Sequence, residues 1–282
     1  MNNRVKIIIG LVIIMAGLLV ILFFQSGQDT IRIIYFNVGQ GDSILIDAPE
    51  DFQILIDGGP NDTVVEKLGE YMPFYDRTIE LMILTHPHAD HVNGLVEVLK
   101  RYKVKHVLHN YVEYKNSAYE RWLELIEEQG IDSTVAVSGL KYSIAGGIEL
   151  STLYPFTSYE GQEVDDLNSS SVVNLLKYND ASFLFTGDIT GDKELEILER
   201  GINVSANVLK VAHHGSKDSS IDEFIEAVRP EIAVIQVGAD NKFGHPGARV
   251  IGLLEEMGIK TFRNDLDGDV VLESDGQDIW QK

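Results

Sequence analysis

The segment His86-Pro87-His88-Ala89-Asp90-His91 places four side chains able to ligate a metal within six positions. Imidazole and carboxylate together hold transition metals, and a metal so held lowers the pKa of bound water to roughly 7, making hydroxide available at neutral pH. Two such ions ~3.5–4 Å apart can also clamp the attacking and leaving oxygens of a phosphoryl transfer. The spacing suits two sites, because His86 and His88 can converge on one ion while Asp90 and His91 turn towards a second. The alternative is a solvated polar loop. Against it, three of the chain's eight histidines sit here, directly after the apolar run Leu81-Met82-Ile83-Leu84.

Other candidates fall where short apolar runs end. Thr186-Gly187-Asp188 follows Phe183-Leu184-Phe185, so Asp188 emerges where a strand gives way to a glycine turn. A carboxylate there can bridge two metals; the plainer reading is a cap for a helix starting near Gly191. Val211-Ala212-His213-His214-Gly215-Ser216 ends another run, with His214 the preferred ligand of the second metal and His213 turned to substrate or core. His245, between Gly244 and Pro246, is a loop histidine suited to a substrate or leaving-group contact, or to a structural role. His106 and His109 read as packing or surface residues. Gly41-Asp42 and Asp57-Gly58-Gly59 are turns first and supporters of the metal loop second.

Short β-branched runs at 32–36, 43–47, 53–57, 81–84 and 104–108 predict strands, with helices over 62–70, 92–101 and 118–129, the last ended by Gly130. A second series predicts strands near 148–154, 172–178, 182–186, 207–211, 232–236, 260–262 and 270–272, and helices over 193–199, 221–228 and 248–257. Such a β-rich, then β/α order, met twice, fits two sheets packed face to face with helices outside. No sequence repeat accompanies it.

The 282 residues, 44% hydrophobic, suffice for one large domain, 28–282, after a segment of a different kind, 1–27. Ile7 through Phe24 carries no charge and follows Arg4 and Lys6. Eighteen residues at ~1.5 Å rise reach about 27 Å, just enough for a hydrocarbon core of ~30 Å. The positive-inside rule then leaves the N-terminus cytoplasmic and the rest extracytoplasmic, in the cell membrane. The competing reading is a signal segment cleaved near Phe23–Gly27, releasing a secreted protein. With no cysteine, disulfides and thiolate-bound zinc are excluded. A net charge of −21 disfavours non-specific binding to DNA, so metals and a local patch must supply the attraction for any polyanion.

Together, H-x-H-x-D-H, T-G-D and a late strand-end histidine resemble the metallo-β-lactamase superfamily. Three further strings, Asn37-Val38-Gly39-Gln40-Gly41-Asp42-Ser43, Leu209 to Ser216 and Phe243-Gly244-His245-Pro246, are similar to the C-terminal hydrolase domain of ComEC-type DNA-uptake channel proteins, over about Ile31 to Leu272. The resemblance implies an α/β fold, the four-layer αβ/βα sandwich, with two divalent ions, zinc or manganese. It implies His86 and His88 on metal one, Asp90, His91 and His214 on metal two, and Asp188 between them. It also sets two departures. The stretch Asp166-Leu167-Asn168-Ser169-Ser170-Ser171 has no histidine where most superfamily hydrolases bring a third to metal one, so a weaker oxygen donor or water is expected there, favouring manganese over zinc. No channel segment accompanies the hydrolase strings, so the expectation is an anchored hydrolase without the transporter.

The expected activity is cleavage of a phosphodiester, in nucleic acid or in a small diester such as phosphorylcholine on a cell-wall polymer, by metal-bound hydroxide. Asp90 or a neighbouring imidazole would shuttle the proton, and His213 or His245 would assist the leaving oxygen. A carbonyl substrate (lactone, thioester or β-lactam) is the enzymatic alternative, and a non-catalytic accessory protein in DNA uptake the other.

Overall fold

The computed structural model describes residues 2–25 and 30–282. A helix covers Asn3–Gln25, where the sequence places its apolar run. Among the described residues no helix is long and apolar enough to cross a membrane. The segment 26–29, over which the 27/28 boundary and part of the weighed cleavage region fall, lies outside the described residues.

From Ile31 the chain builds two sheets. The first has eight strands in the order Ile279–Gln281, Val270–Ser274, Ile31–Tyr35, Ile44–Ala48, Phe52–Ile56, Thr78–Leu84, Lys103–His109 and Asp132–Val135. The second has seven, in the order Lys260–Arg263, Ile232–Ile235, Val208–Lys210, Ala181–Phe185, Val173–Tyr178, Ile148–Tyr154 and Lys141–Ile144. Each sheet runs antiparallel through its early strands and parallel through its later ones. Val270–Ser274 returns to the first sheet, antiparallel to Ile31–Tyr35, and so ties the two ends of the chain together.

Most strands are buried on both faces, which is why they read as continuous apolar runs rather than as alternation. Ile33 and Tyr35 face the core between the sheets, whereas Ile34 and Phe36 face the outer helices. Phe183 and Phe185 point inward and Leu184 outward in the same way. Helices Thr63–Tyr71, Ala89–Leu99 and Ser117–Gln129 cover the first sheet through Leu68, Val92, Leu95 and the buried Trp122. Gly191–Glu199, Asp222–Val228 and Ala248–Glu256 cover the second through Ile197, Phe224, Ile225 and Leu254. The helix over 117–129 starts where the Asn116 side chain accepts from the backbone N–H groups of Ala118 and Tyr119, and ends at Gly130 in the left-handed conformation.

Three strands lack the predicted signal: Asp132–Val135, Lys141–Ile144 and Ile279–Gln281. Each is the outer strand at an edge of a sheet and half exposed, so it carries polar residues where an apolar run would expose a pairing surface. The first site helix also differs. It begins at Ala89 rather than near Val92, so Asp90 and His91 lie on its first turn and not in a loop.

A candidate metal centre at the strand ends

The parallel strands of both sheets end at one edge of the molecule, and the residues that follow them meet there. Asp57 follows Phe52–Ile56, the Thr85–His91 stretch follows Thr78–Leu84, and Asp188 comes three residues after Phe185. His213 and His214 come just after Val208–Lys210, and Gln236 follows Ile232–Ile235.

Glycines set how closely these segments approach. Gly41, at φ +141°, lies where a Cβ would sit 2.2 Å from the Asp90 carbonyl oxygen. A Cβ on Gly94 would sit 1.8 Å from the Gly58 oxygen, so the helix carrying Asp90 and His91 can pack directly on the 57–59 turn. Backbone bonds lock that contact: Asp42 N–H donates to Asp90 O at 3.2 Å and Gly58 N–H to His91 O at 2.8 Å. Asp90 on the first turn also meets the positive end of the helix dipole.

Asp188 lies at the centre. Its Oδ2 is 3.3 Å from His91 Nε2, 3.2 Å from His214 Nε2 and 4.0 Å from His86 Nε2. Asp90 completes the group, with Oδ2 3.4 Å from His214 Nε2 and Oδ1 3.9 Å from His91 Nε2. Donor atoms of His86, His91 and Asp188 form one set able to surround a cation, and those of Asp90, His91 and His214 form another. His91 thus borders both sets, where the resemblance gives it to metal two alone. His88 joins neither: its Nδ1 lies 2.9 Å from His86 Nε2 in a hydrogen bond. Asp188 does not cap the following helix, whose N-cap is Thr190.

The cluster is braced from behind. Asp57, fully buried, accepts from the Thr85 amide at 2.8 Å and the Thr85 hydroxyl at 2.7 Å, and lies 2.8 Å from His91 Nδ1. The Nδ1 of His214 donates to the Gln236 carbonyl oxygen at 2.8 Å and lies 3.2 Å from Asp42 Oδ1. Both rings are therefore held at Nδ1, which directs Nε2 at Asp188. Lys210, only 1% exposed, contacts Asp42, lies 3.5 Å from Asp188 Oδ1 and donates to the Gly187 carbonyl oxygen at 2.9 Å.

Burial alone would keep His91 and His214 neutral. The carboxylates outweigh it: Asp188, Asp57 and Asp90 lift His91 well above its ordinary value, and Asp188 with Asp42 does the same for His214. Burial would raise Asp188, but His214, His91 and Lys210 hold it well below the usual carboxylate range. His86 is pushed well down by burial and by the neighbouring His91. The centre therefore selects for positive charge at Nε2 of His91 and His214. Those two atoms, which face Asp188 Oδ2, are buried without a hydrogen-bond partner. A cation between them would answer both conditions, and the nitrogen and oxygen donors suit a divalent transition metal.

A cavity of about 400 Å³ opens over Asp90, Asp188 and His214. His213 and His245 line it, their rings 5.5 Å apart, both held below the usual histidine range, first by burial. His213 and His214 both adopt positive φ, 49° and 54°, a strained pair that sends their side chains in different directions. His214 faces Asp188, while His213 Nε2 lies 3.3 Å from Asn168 Nδ2. Asn168 thus stands in the cavity wall, at the stretch without a histidine, and its Oδ1 is buried without a partner. His109 is buried against Trp122, and His106 bonds Thr134 at 2.9 Å, both away from the centre.

Lys210, Gln236 and Asn110 escape a reading by residue type. Asn110 Nδ2 donates to Ser170 O at 2.7 Å and so fixes the turn that carries Asn168. A signal exists only for Lys210: it interrupts the apolar run Val208-Leu209-Lys210-Val211.

A two-sheet sandwich with histidines and aspartates gathered at the strand ends defines a metal-dependent hydrolase fold. The chain belongs to the metallo-beta-lactamase superfamily, whose model matches residues 36–238. It is 31% identical to ComE operon protein 3 of Bacillus subtilis (strain 168) over 251 residues, covering 83% of this chain and 32% of that protein. It is 28% identical to Recombination protein 2 of Haemophilus influenzae over 252 residues, covering 87% of this chain and 29% of that one. The chain thus spans about a third of the length of these relatives. Among solved structures, the metallo-beta-lactamase fold protein YhfI from Bacillus subtilis superposes with a TM-score of 0.56 at 12% identity, over 87% of this chain and 100% of the other.

Proposed function

We propose that this chain is a two-metal phosphodiester hydrolase acting outside the membrane that anchors it. The carrying observation is the buried, unpartnered Nε2 pair of His91 and His214 converging on Asp188 beneath an open cavity. His86, Asp90, His91, Asp188 and His214 would hold the ions, and His88 would join them by exchanging its hydrogen bond to His86 for an ion. The Asn168 side-chain oxygen would be the donor where the third histidine is missing. Such an oxygen donor favours manganese over zinc. Two ions there would supply a nucleophile from water at neutral pH and offset the charge developing on phosphorus-bound oxygens.

The chain's own residues do the rest. Asp57 and the Gln236 carbonyl oxygen fix the ring orientation of His91 and His214. Lys210 holds the Asp188 oxygen turned away from the histidines. Burial would raise Asp90, half-buried in the cavity lining, but His91 and His214 hold it well below the usual carboxylate range. It would therefore pass on the proton released by the attacking water rather than keep it. His245, neutral at pH 7, lines the cavity for the leaving oxygen, and His213 accepts from Asn168 Nδ2 at Nε2, which orients that side chain. Similarity to a ComE operon protein and to a recombination protein supports nucleic acid as the diester. The uncharged run Ile7–Phe24 after Arg4 and Lys6 supports the anchor and its orientation.

The test is hydrolysis of bis-p-nitrophenyl phosphate by the detergent-solubilised chain, loaded with manganese or zinc. Asp188→Ala should lose about 10³-fold in kcat, with metal content falling alongside. Stoichiometric metal with no diester turnover in the parent chain would overturn the phosphodiester reading. Flotation with vesicles tests the anchor separately.

A further inference from the structure

The cavity over the metal centre, with Asp90, Asp188, Tyr114 and Phe243 in its wall, is lined by no lysine or arginine among the described residues. The chain as a whole carries −21. A diester strand that enters the cavity therefore finds no side-chain cation in its wall, the usual source of affinity for a nucleic-acid backbone. The exposed Lys115 and Lys242 are chain neighbours of its two aromatic residues but do not line it. Two aromatic rings stand in that wall instead. Phe243 is 66% exposed, and its ring lies parallel to His245, with centroids 5.8 Å apart and 16° between planes. Tyr114 is 36% exposed and stands edge-on to His88, with centroids 6.3 Å apart and 79° between planes. Tyr114 follows the strand Lys103–His109 of the first sheet, and Phe243 follows Ile232–Ile235 of the second. Each half of the molecule thus contributes one partly exposed ring, backed by a histidine of the site.

We propose that Tyr114 and Phe243 are the specificity-determining residues of the site, stacking the unpaired bases that flank the scissile phosphate. Aromatic faces accept any base, and stacking requires bases free of a duplex. The occupant is then a single-stranded nucleic acid, read through its bases rather than its backbone charge. The inference rests on the phosphodiester reading and adds to it what gives the diester its affinity.

The probes are thymidine 5′-monophosphate and 2-deoxyribose 5-phosphate, which carry the same phosphate with and without a base. Titrated calorimetrically into the metal-loaded full chain, the nucleotide should bind about tenfold tighter or more. Tyr114→Ala and Phe243→Ala should each shrink that ratio, and the double variant should bring it near one. Phe243→Trp should keep it. Both positions are partly exposed, so the alanine variants remain folded. In turnover, the same alanines should raise KM for oligothymidylate with kcat little changed. They should leave KM unaltered for an oligomer of abasic residues with equal phosphates. Equal affinity for the two probes in the parent chain, or alanine variants that preserve the ratio, would overturn the inference. Cleavage of abasic and thymidine oligomers with the same KM would remove the base contact and leave the phosphodiester reading standing. Base-dependent binding without cleavage of any diester would support the stacking pair and sink the hydrolase reading.

Discussion

The two halves share an order of strands but build their parts of the centre differently. The first half delivers His86, His88, Asp90 and His91 from one strand end and one helix turn, six consecutive positions. The second half delivers Asp188 and His214 from two separate strand ends, 26 residues apart. Their bracing differs accordingly. Behind His91 lies Asp57, a buried acid that shares one imidazole and the Thr85 donors. Behind Asp188 lies a buried lysine, which ties the second half to Asp42 of the first. A contiguous set of donors needs only orientation. A dispersed one also needs charge balance, because its carboxylates converge from different strands.

The comparison breaks most visibly at Lys210. Lys210→Met leaves Asp42 and Asp188 buried without their cation, and should cost about 3–5 kcal/mol in urea unfolding. Lys67→Met, which frees the more accessible Asp269 of a 2.7 Å pair in the first sheet's layer, should cost about 1 kcal/mol or less. Equal losses would mean that the second half has no special need of its lysine. Combining Asp42→Asn with Lys210→Met should recover part of the larger loss, since Asp42 then carries no charge and Asp188 still faces His91 and His214.

A second contrast lies in the acids buried behind each half. Asp57 is raised, mainly by burial, with His91 opposing. Glu194 in the second half accepts from the Ser220 and Ile221 amides, both at 2.8 Å, and is pushed up to about 7 by burial against an ordinary value of 4.5. The two amide bonds oppose that rise, then Arg249, while Asp192 adds to it. A carboxyl raised on folding binds its proton more tightly in the native state. Its contribution is therefore full below about pH 4.5 and is lost as pH rises through about 7. Stability to urea should fall by about 3 kcal/mol between pH 4.5 and 8 from this group. The fall should be absent in Glu194→Leu, and parent and variant profiles of the same slope over that window would refute the assignment.

The smallest effect expected is on the metal. Asp57→Asn keeps the shape behind His91 but removes the carboxylate, and should weaken metal affinity about 10–100-fold by competition with a chelator. Gln236 offers only its backbone oxygen to His214, so Gln236→Ala should change affinity less. The reverse order would place the orienting work in the second half.

Much of the fold was legible because the central strands, buried on both faces, must be apolar throughout. The edge strands Asp132–Val135 and Lys141–Ile144 were not, since exposure removes that constraint. The motif residues of the centre were legible by type, and the structure turns His214 towards Asp188 and His213 towards Asn168. The sharing of His91 between two donor sets, and the pairing of His88 with His86, were hidden. They depend on the helix starting at Ala89, which the glycine contacts at Gly41 and Gly94 permit.

What the sequence determined by itself was the inventory: donors of oxygen and nitrogen without sulfur, apolar runs that end at them, and an acidic surface that leaves little grip for a polyanion. Each follows from residue type and local spacing. What only the tertiary structure decided was convergence. Asp42, Asp188, Lys210 and His214 lie up to 172 residues apart in sequence and meet because two twisted sheets end at one edge. There the loss of water makes each charge choose its partner, and no local pattern records that choice.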